Sequence, residues 1–600
     1  MEFLKHRLEV LSPRRAPWVI ALLALLFTAP SLSVGFVTDD HVFRLIFQNA
    51  PSLPELKIPL LDTFSFGKGE PGYNIQLMER GVVPWWTDPH WQLAFWRPIA
   101  SATHWVDHTL FGMHAWAMHL HSILLYALLA FAATRLYQRH IAASWVAALA
   151  GMLYALDSAH VLPVGWLANR NAILSALFGV LVLLSHDTWR TMHKRSAAIV
   201  AHLMLVIALL CGEGSIAVAG YLFAYACFLD NAPLRSRVLT LVPYAGIIIA
   251  WRIVYSALGY GAIGSGLYTD PGQSPVMFLM HAVIYLPLLL YSHFAFPDPI
   301  AWSFAPAPMQ WIYLGVAVTL LIAFAALLLP ALRADRTARF YALGMVVSAI
   351  PSCATIPQYR LLLYAGIGGI GLIALYLANW RTYLGANPSA RTLRYSKALA
   401  TIWFLLHAVV SPVALSAGML GVKMLGEAFN RTNASIPSDP EVVNDTVILV
   451  STTGDLTYAI PPAMRSSLKQ PMPRNIWPLY SGVHDLIVTR TSDRELTLVV
   501  KEGWLHRPWA LLFRDAEDNR IPRGYQVTLS DMVVTVDQVN ELGLPTQVRF
   551  TFDRPLDDPR LRWLTWGGGF FVPFEVPAVG DTRTLKGVGV QGIIREILGS

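Results

Sequence analysis

Apolar runs of about twenty residues, broken by short polar or basic stretches, recur through the first 420 positions of the chain. Each is long enough to cross a hydrocarbon layer of about 30 Å as a helix. The pattern predicts about eleven transmembrane helices, near 17–36, 117–136, 141–157, 168–186, 197–212, 214–230, 238–257, 310–331, 339–353, 361–379 and 398–420. Lys5, Arg7, Arg14 and Arg15 precede the first run, and no small-x-small cleavage site follows it. It is expected to stay as an uncleaved first span.

After about 435 the pattern changes. Short alternating runs appear, among them "DLIVTR", "ELTLVV", "YQVTLS", "MVVTVD" and "TQVRFTF", separated by turn residues. That alternation predicts strands with one buried face and one wet face, hence a β-rich domain over 435–600. The expected organisation is a short N-terminus (1–16), a helical membrane domain (17–430) with a large first outer loop (38–116), and the β-rich domain. The loop stretch "GVVPWWTDPHW" is rich in Trp and Pro, a composition suited to the water–lipid boundary.

Charge sets the expected topology. Arg139 and His140, Arg190/Lys194/Arg195, Arg235/Arg237, Arg333/Arg336/Arg339 and Arg381/Arg391/Arg394/Lys397 all fall in loops on the side of the N-terminus. The intervening turns are nearly free of Lys and Arg. The positive-inside rule then puts the N-terminus in the cytoplasm and the C-terminal domain outside. One apolar segment, 277–295, breaks the alternation if it spans. It is expected to be interfacial or re-entrant, in keeping with His281, Pro287 and His293 within it.

Composition agrees with this reading. The chain of 600 residues is 55% hydrophobic and 14% charged, with a mean hydropathy of +0.47. Its net charge of +7 reports loop topology and does not point to a nucleic-acid partner. Cys211, Cys227 and Cys353 lie in or beside apolar spans, which excludes a disulfide framework or a cysteine metal site as the organising feature.

Charged residues at span ends are the candidate chemistry, because such groups are costly there unless paired or used. "TDDHVFR" places Asp39 and Asp40 where the first span ends. Either serves a catalytic base at the outer face, or the pair caps an amphipathic helix bearing Phe43, Ile46 and Phe47. "YALDSAHVLPVGWLANRN" brings Asp157 and His160 to the end of the third span and Arg170 to the start of the fourth, either as a site or as an Asp157–Arg170 pair. Glu213 stands at the turn between the fifth and sixth spans. Arg360 opens the tenth span, where its forked donors suit a lipid phosphate, snorkelling to headgroups being the alternative. Arg97 precedes Pro98 at a helix start, and His104, Asp107 and His108 follow at i, i+3, i+4, a spacing compatible with a metal but lacking an evident third ligand.

Taken in order, these residues resemble the GT-C superfamily of polyprenyl-phosphate-sugar-dependent glycosyltransferases. The likeness is greatest to the O-mannosyltransferases of the endoplasmic reticulum that carry tetratricopeptide repeats, and to their bacterial relatives. It covers roughly 17–380 and rests on Asp39-Asp40, Trp96-Arg97-Pro98, "LFGMHAWAMHLH" with His119, "LDSAHVLPVGWLANRN", Gly212-Glu213, and Arg360 with Tyr364. The chain departs from the family pattern at Asp157, where the family has His, at Leu162, where it has Glu, and at Gly212, where it has Lys. Arg360 and Tyr364 are one residue further apart than usual, and the β-rich domain replaces the repeats.

The resemblance implies a polytopic all-α GT-C-like fold and an inverting transfer of a sugar from a polyprenyl-phosphate carrier to an acceptor outside the cytoplasm, a glycan or a protein. Asp39 or Asp40 is the implied base. Arg360, with Arg170 or Arg97, is implied to stabilise the departing phosphate, and Asp157, His160 and Glu213 to orient sugar or acceptor. His119 and Tyr364 complete the implied binding set. No particular cofactor is implied, and a divalent cation is left open. The expected location is a bacterial cytoplasmic membrane with the β-rich domain in the periplasm. Two other classes stay open: a transporter or flippase for lipid-linked sugar, and a non-catalytic envelope assembly protein.

Overall fold

Helices form over the apolar runs, and their lengths decide which can cross a bilayer. In a computed structural model of the chain, described for all residues except 1–5, 7, 10, 49–52, 54, 57, 296, 386–387, 507–509, 590–591 and 593–600, eight helices are long and apolar enough to span. They are Ala16–Ser33, Ala115–His140, Leu167–Met192, Leu234–Ala257, Pro275–Phe294, Ala307–Ala334, Leu363–Tyr383 and Ala390–Ala434. Lys5 and Arg7, counted above among the N-terminal basic residues, lie outside the described residues. The chain is a multi-pass membrane protein.

The count differs from about eleven for identifiable reasons. The third apolar run breaks after Ala155 into Ser144–Ala155 and Ser158–Gly165, bent by 41°, and makes a ninth span only if the two are taken together. The runs at 197–212 and 214–230 form the shorter apolar helices Arg195–Cys211 and Glu213–Phe228, and the run at 339–353 forms the 14-residue helix Arg336–Ala349. At 1.5 Å per residue, 14 residues reach only about 21 Å. Segment 277–295, expected to be interfacial or re-entrant, is instead one continuous 20-residue helix through Pro287, and its length and hydropathy place it among the eight.

Chain contacts separate two units: a helical one (1–35, 95–258, 274–423) and a mixed one (36–94, 259–273, 424–600). In the helical unit, the glycine-rich helix Leu363–Tyr383 is buried on all sides from Leu363 to Leu377. A Cβ on Gly368 would lie 2.4 Å from the carbonyl oxygen of Tyr341, so only glycine permits that approach. The long helix Ala390–Ala434 contains a single π turn at Leu406–Val410.

Among the described residues the mixed unit contains three sheets. The alternating runs form an antiparallel six-stranded sheet in the spatial order 582–585, 486–492, 495–499, 545–552, 532–539, 526–529. Inward positions such as Val488, Leu498, Val534, Val548 and Phe550 are buried. A second sheet pairs Thr446–Leu449 in parallel with Asn475–Pro478 and with Leu561–Gly567, and the helix Asp455–Ser467 makes the crossover between the first two. The third joins Ser65–Lys68, Gln92–Ala94 and Gly261–Ile263.

The Trp-rich loop corrects an expectation. Trp85, Trp86 and Trp91 are 2%, 1% and 2% exposed and form core of the mixed unit, not an interfacial belt. Two of the three indole N–H groups are met by the C-terminal region: Trp85 Nε1 donates to the Leu479 carbonyl at 3.1 Å and Trp91 Nε1 to the Leu512 carbonyl at 2.8 Å, whereas Trp86 Nε1 has no partner among the described residues. Trp477 Nε1 returns a bond to the Glu79 carbonyl at 2.9 Å. Arg514 holds the Trp86 and Thr87 carbonyls. Buried indoles with satisfied N–H groups are stable core components.

Candidate active site

The helix Asp39–Gln48 begins immediately after Thr38, whose φ of 45° is uncommon for a β-branched residue. The two carboxylates at its start are not equivalent. Asp40 is buried, and its Oδ2 accepts from the Val37 backbone N–H at 2.9 Å, which fixes the turn entering the helix. Asp39 is half-buried. Behind them, Arg44 is buried, lies 4.4 Å from the Phe36 ring centre and meets His41 Nδ1 at 3.3 Å. Burial, reinforced by Arg44, pushes the His41 imidazole down to about 3, so it is neutral near pH 7. The helix packs against Asp455–Ser467. The cap reading thus describes Asp40, and Asp39 is the carboxylate with access.

In the helical unit, Arg97 and Glu213 form a two-point ion pair. Arg97 Nε donates to Glu213 Oε2 at 2.9 Å, and Arg97 Nη2 donates to Oε1. Proline at 98 starts the helix Pro98–Phe111 and places Arg97 at its N-cap. Glu213 opens the short turn Glu213–Ala217. Arg360 is an electrostatic neighbour of this carboxylate. It is half-buried, its Nε donates to Gln358 Oε1 at 2.8 Å, and its guanidinium stands 5.7 Å from the centre of the Trp166 ring. Among the described residues its two terminal nitrogens have no hydrogen-bond or ion-pair partner, which leaves a forked donor pair available to an anion.

Arg170 is held differently from either sequence reading. Its partner is Asp107, not Asp157: Nη1 lies 2.5 Å from Asp107 Oδ2, and both side chains are almost wholly buried. Nε donates to Ser122 Oγ at 2.8 Å and Nη2 to the Met118 carbonyl at 2.9 Å. His121 Nδ1 is 2.6 Å from the other Asp107 oxygen. Asp107 is therefore committed to a cation and an imidazole, and the His104, Asp107, His108 spacing marks a salt-bridge site. Among the described residues, no group of three or more His, Cys, Asp or Glu is arranged to hold a metal ion.

Asp157 caps the turn Ser158–His160 by accepting from the Ala159 N–H at 2.9 Å. It lines a small cleft with His293, Tyr359, His407 and Ser411. His160 lies below, its Nδ1 2.8 Å from the Tyr126 hydroxyl. Tyr359 adjoins Arg360, and its backbone N–H is held by Asp298 Oδ1 at 3.2 Å. His293 entered the sequence reading only as a mark of a non-spanning segment and His407 not at all, because a single histidine in an apolar helix carries no spacing signal. The legible trace was the run "AGIGGIG", whose Gly369 makes room for the His293 ring.

Two other site candidates face the helix packing. His119 is fully buried with Nε2 2.8 Å from the Gly35 carbonyl. Tyr364 is buried and donates to the Ser175 carbonyl at 2.6 Å.

No family model and no curated protein matches the chain. Among solved structures it is similar to arabinofuranosyltransferase AftD from mycobacteria, with 14% identity and a TM-score of 0.35 over 78% of this chain and 33% of that one. It is also similar to the oligosaccharyltransferase of Archaeoglobus fulgidus, solved in complex with zinc and sulfate, with 12% identity and a TM-score of 0.36 over 76% of this chain and 62% of that one. The chain thus spans less than two thirds of the length of either.

Proposed function

We propose that this chain is a GT-C type glycosyltransferase that moves a sugar from a polyprenyl-phosphate carrier to a hydroxyl acceptor outside the cytoplasm. The observation that carries the reading is Arg360. Among the described residues its terminal donors have no hydrogen-bond or ion-pair partner, while the nearby Glu213 carboxylate is occupied by Arg97. A planar cation so prepared suits a phosphate oxygen pair. The motif resemblance in the sequence supports the same reading.

In the proposed step the acceptor hydroxyl attacks the anomeric carbon and the bond from that carbon to the phosphate oxygen breaks, with inversion. The lipid phosphate leaves with its new charge on Arg360, and the proton passes to Asp39, a role that rests on the sequence resemblance. Asp40 positions the turn that carries Asp39. Arg97 and Glu213 hold the surroundings of Arg360, and Arg170 keeps the helix Pro98–Phe111 in place through Asp107. The proposed setting is a bacterial cytoplasmic membrane, with an N-terminus inside and the mixed unit outside.

The test uses full-length protein in lipid nanodiscs, offered a panel of polyprenyl-phosphate sugars with water or simple alcohols as acceptors. Release of lipid phosphate from at least one donor, lost in Arg360→Gln, is expected. Transport of a lipid-linked sugar across proteoliposomes without release contradicts the proposal.

A further inference from the structure

Several arginines of the basic loops are bonded inside the protein. Arg190 Nε donates to Asp230 Oδ2 at 2.7 Å, Arg336 Nη1 to Asn231 Oδ1 at 2.9 Å and Arg237 Nη1 to the Ala226 carbonyl at 3.2 Å, while Arg139 lies 3.7 Å from Asp187. Arg333, Arg381, Arg391, Arg394 and Lys397 differ. All five are exposed, and among the described residues none of these side chains has a hydrogen-bond or ion-pair partner. Arg381 stands 5.2 Å from the centre of the Trp380 ring.

The fold gathers these cations where three helix ends meet. The Tyr383 hydroxyl donates to Asp335 Oδ2 at 3.1 Å, which joins the end of the helix Leu363–Tyr383 to the turn that follows Arg333. The buried Trp403 ring lies 5.4 Å from Tyr376 and 5.7 Å from Phe324, and so seats the helix Ala390–Ala434 against both of its neighbours. At 3.6 residues per turn, Arg391, Arg394 and Lys397 fall on the helix face opposite the buried Ser396, Leu399, Ala400 and Trp403.

The chain supplies no counter-charge for them. From 336 to 426 it has no Asp or Glu. Asp335 is taken by Tyr383 and by the Thr337 N–H, which it accepts at 2.7 Å. The positive end of the helix dipole lies where Arg391 and Arg394 stand, so the helix itself disfavours them. Topology asks only that cations lie on this side of the membrane, not that they be left unpaired.

Their neighbours indicate the partner. Leu393 is 43% exposed and Tyr395 58% exposed, and both alternate with the cations. Cations mixed with apolar and aromatic side chains at the end of spanning helices suit the headgroup layer of a bilayer. There the charges meet lipid phosphates and the apolar groups meet the first acyl carbons. A soluble acidic partner would call for the charges alone.

We propose that Arg333, Arg381, Arg391, Arg394 and Lys397 form a surface that binds the headgroup phosphates of anionic phospholipids. The proposal is independent of the transferase reading and uses none of its site residues.

The test is native mass spectrometry of full-length protein in detergent micelles titrated with phosphatidylglycerol, with phosphatidylcholine as the neutral control. The readout is the ratio of the two affinities within each variant, so a loss of folded protein cannot imitate the effect. Wild type should favour phosphatidylglycerol by about tenfold or more, and Arg391→Gln/Arg394→Gln/Lys397→Gln should lose about tenfold of that preference. Arg391→Lys/Arg394→Lys, which keeps the charge, should retain most of it. Lys194→Gln/Arg195→Gln, in another basic loop, should change it less than about twofold. Equal uptake of the two lipids by wild type overturns the proposal. So does a preference that the triple substitution leaves intact, or that the Lys194/Arg195 pair lowers as much. Displacement of phosphatidylglycerol by millimolar inorganic phosphate would assign the surface to a soluble anion and likewise overturn it.

Discussion

Arg97 holds both oxygens of Glu213 across 116 positions of sequence. The pair fastens the start of the helix Pro98–Phe111 to the turn that follows Cys211, and it takes up the carboxylate that would otherwise compete for Arg360. Hydrogen bonds between charged groups contribute about 1.5–3 kcal/mol each in such settings. A double-mutant cycle with Arg97→Met and Glu213→Gln, measured by denaturant unfolding in detergent, should show a coupling of about 1–2 kcal/mol. Strictly additive effects would show that the two side chains stabilise the fold independently.

The Asp107–Arg170 pair is more deeply enclosed, so removing one member leaves an uncompensated buried charge. Arg170→Met should cost about 3–5 kcal/mol, against much less for a double replacement of Asp107 and Arg170 by apolar residues of similar size. Thermal unfolding of the variants compares the two. If the double variant is as unstable as the single one, the pair is needed for more than charge balance.

Trp85 links the first loop to the C-terminal region through its bond to the Leu479 carbonyl. Trp85→Phe keeps most of the apolar contact and leaves a buried carbonyl with one donor fewer, Trp504 Nε1 remaining on the same oxygen. The expected loss is about 1 kcal/mol, with faster hydrogen exchange around 479. Exchange that is unchanged there would mean the loop is held by packing alone.

Asp455 gives a pH dependence with a definite sign. Burial raises its carboxyl to about 6, against the hydrogen bonds from the Tyr458 hydroxyl and the Leu512 N–H. The folded state therefore holds a proton that the unfolded state releases above about 3.9. Stability from this group is complete below the unfolded value and is lost as pH rises through about 6. Asp455→Asn should remove that loss, and the difference from wild type, read from hydrogen exchange over 455–467, should grow between pH 4 and pH 6. A constant difference across that range contradicts the assignment. His41 works in the opposite direction. Held near 3, it costs stability as pH falls from about 6.5 towards that value.

The helices were legible because apolar runs of spanning length have few other uses, and the six-stranded sheet because half-buried strands alternate. The parallel strands Thr446–Leu449 and Asn475–Pro478 were missed for the complementary reason: all of their positions are buried, so no alternation exists to be seen. The Trp-rich loop was misplaced because composition suits an interface and a core equally well. Only the partners, four hundred positions away in chain terms, separate the two. Among the charged candidates, sequence order suggested an Asp157–Arg170 pair, whereas Asp107 on a neighbouring helix provides the counter-charge. The unequal burial of Asp39 and Asp40, and the bond from the Val37 N–H to Asp40, are recorded in no residue pattern.

The most direct test of the account is lipid-phosphate release by Asp39→Asn and Asp40→Asn in nanodiscs, with the donor that wild type uses. Asp39→Asn should fold normally and lose turnover by about 10²–10⁴-fold, the usual contribution of a general base. Asp40→Asn, whose amide oxygen still accepts from Val37, should lose far less. Full turnover in Asp39→Asn would contradict the base assignment and, with it, the proposed reaction at this helix.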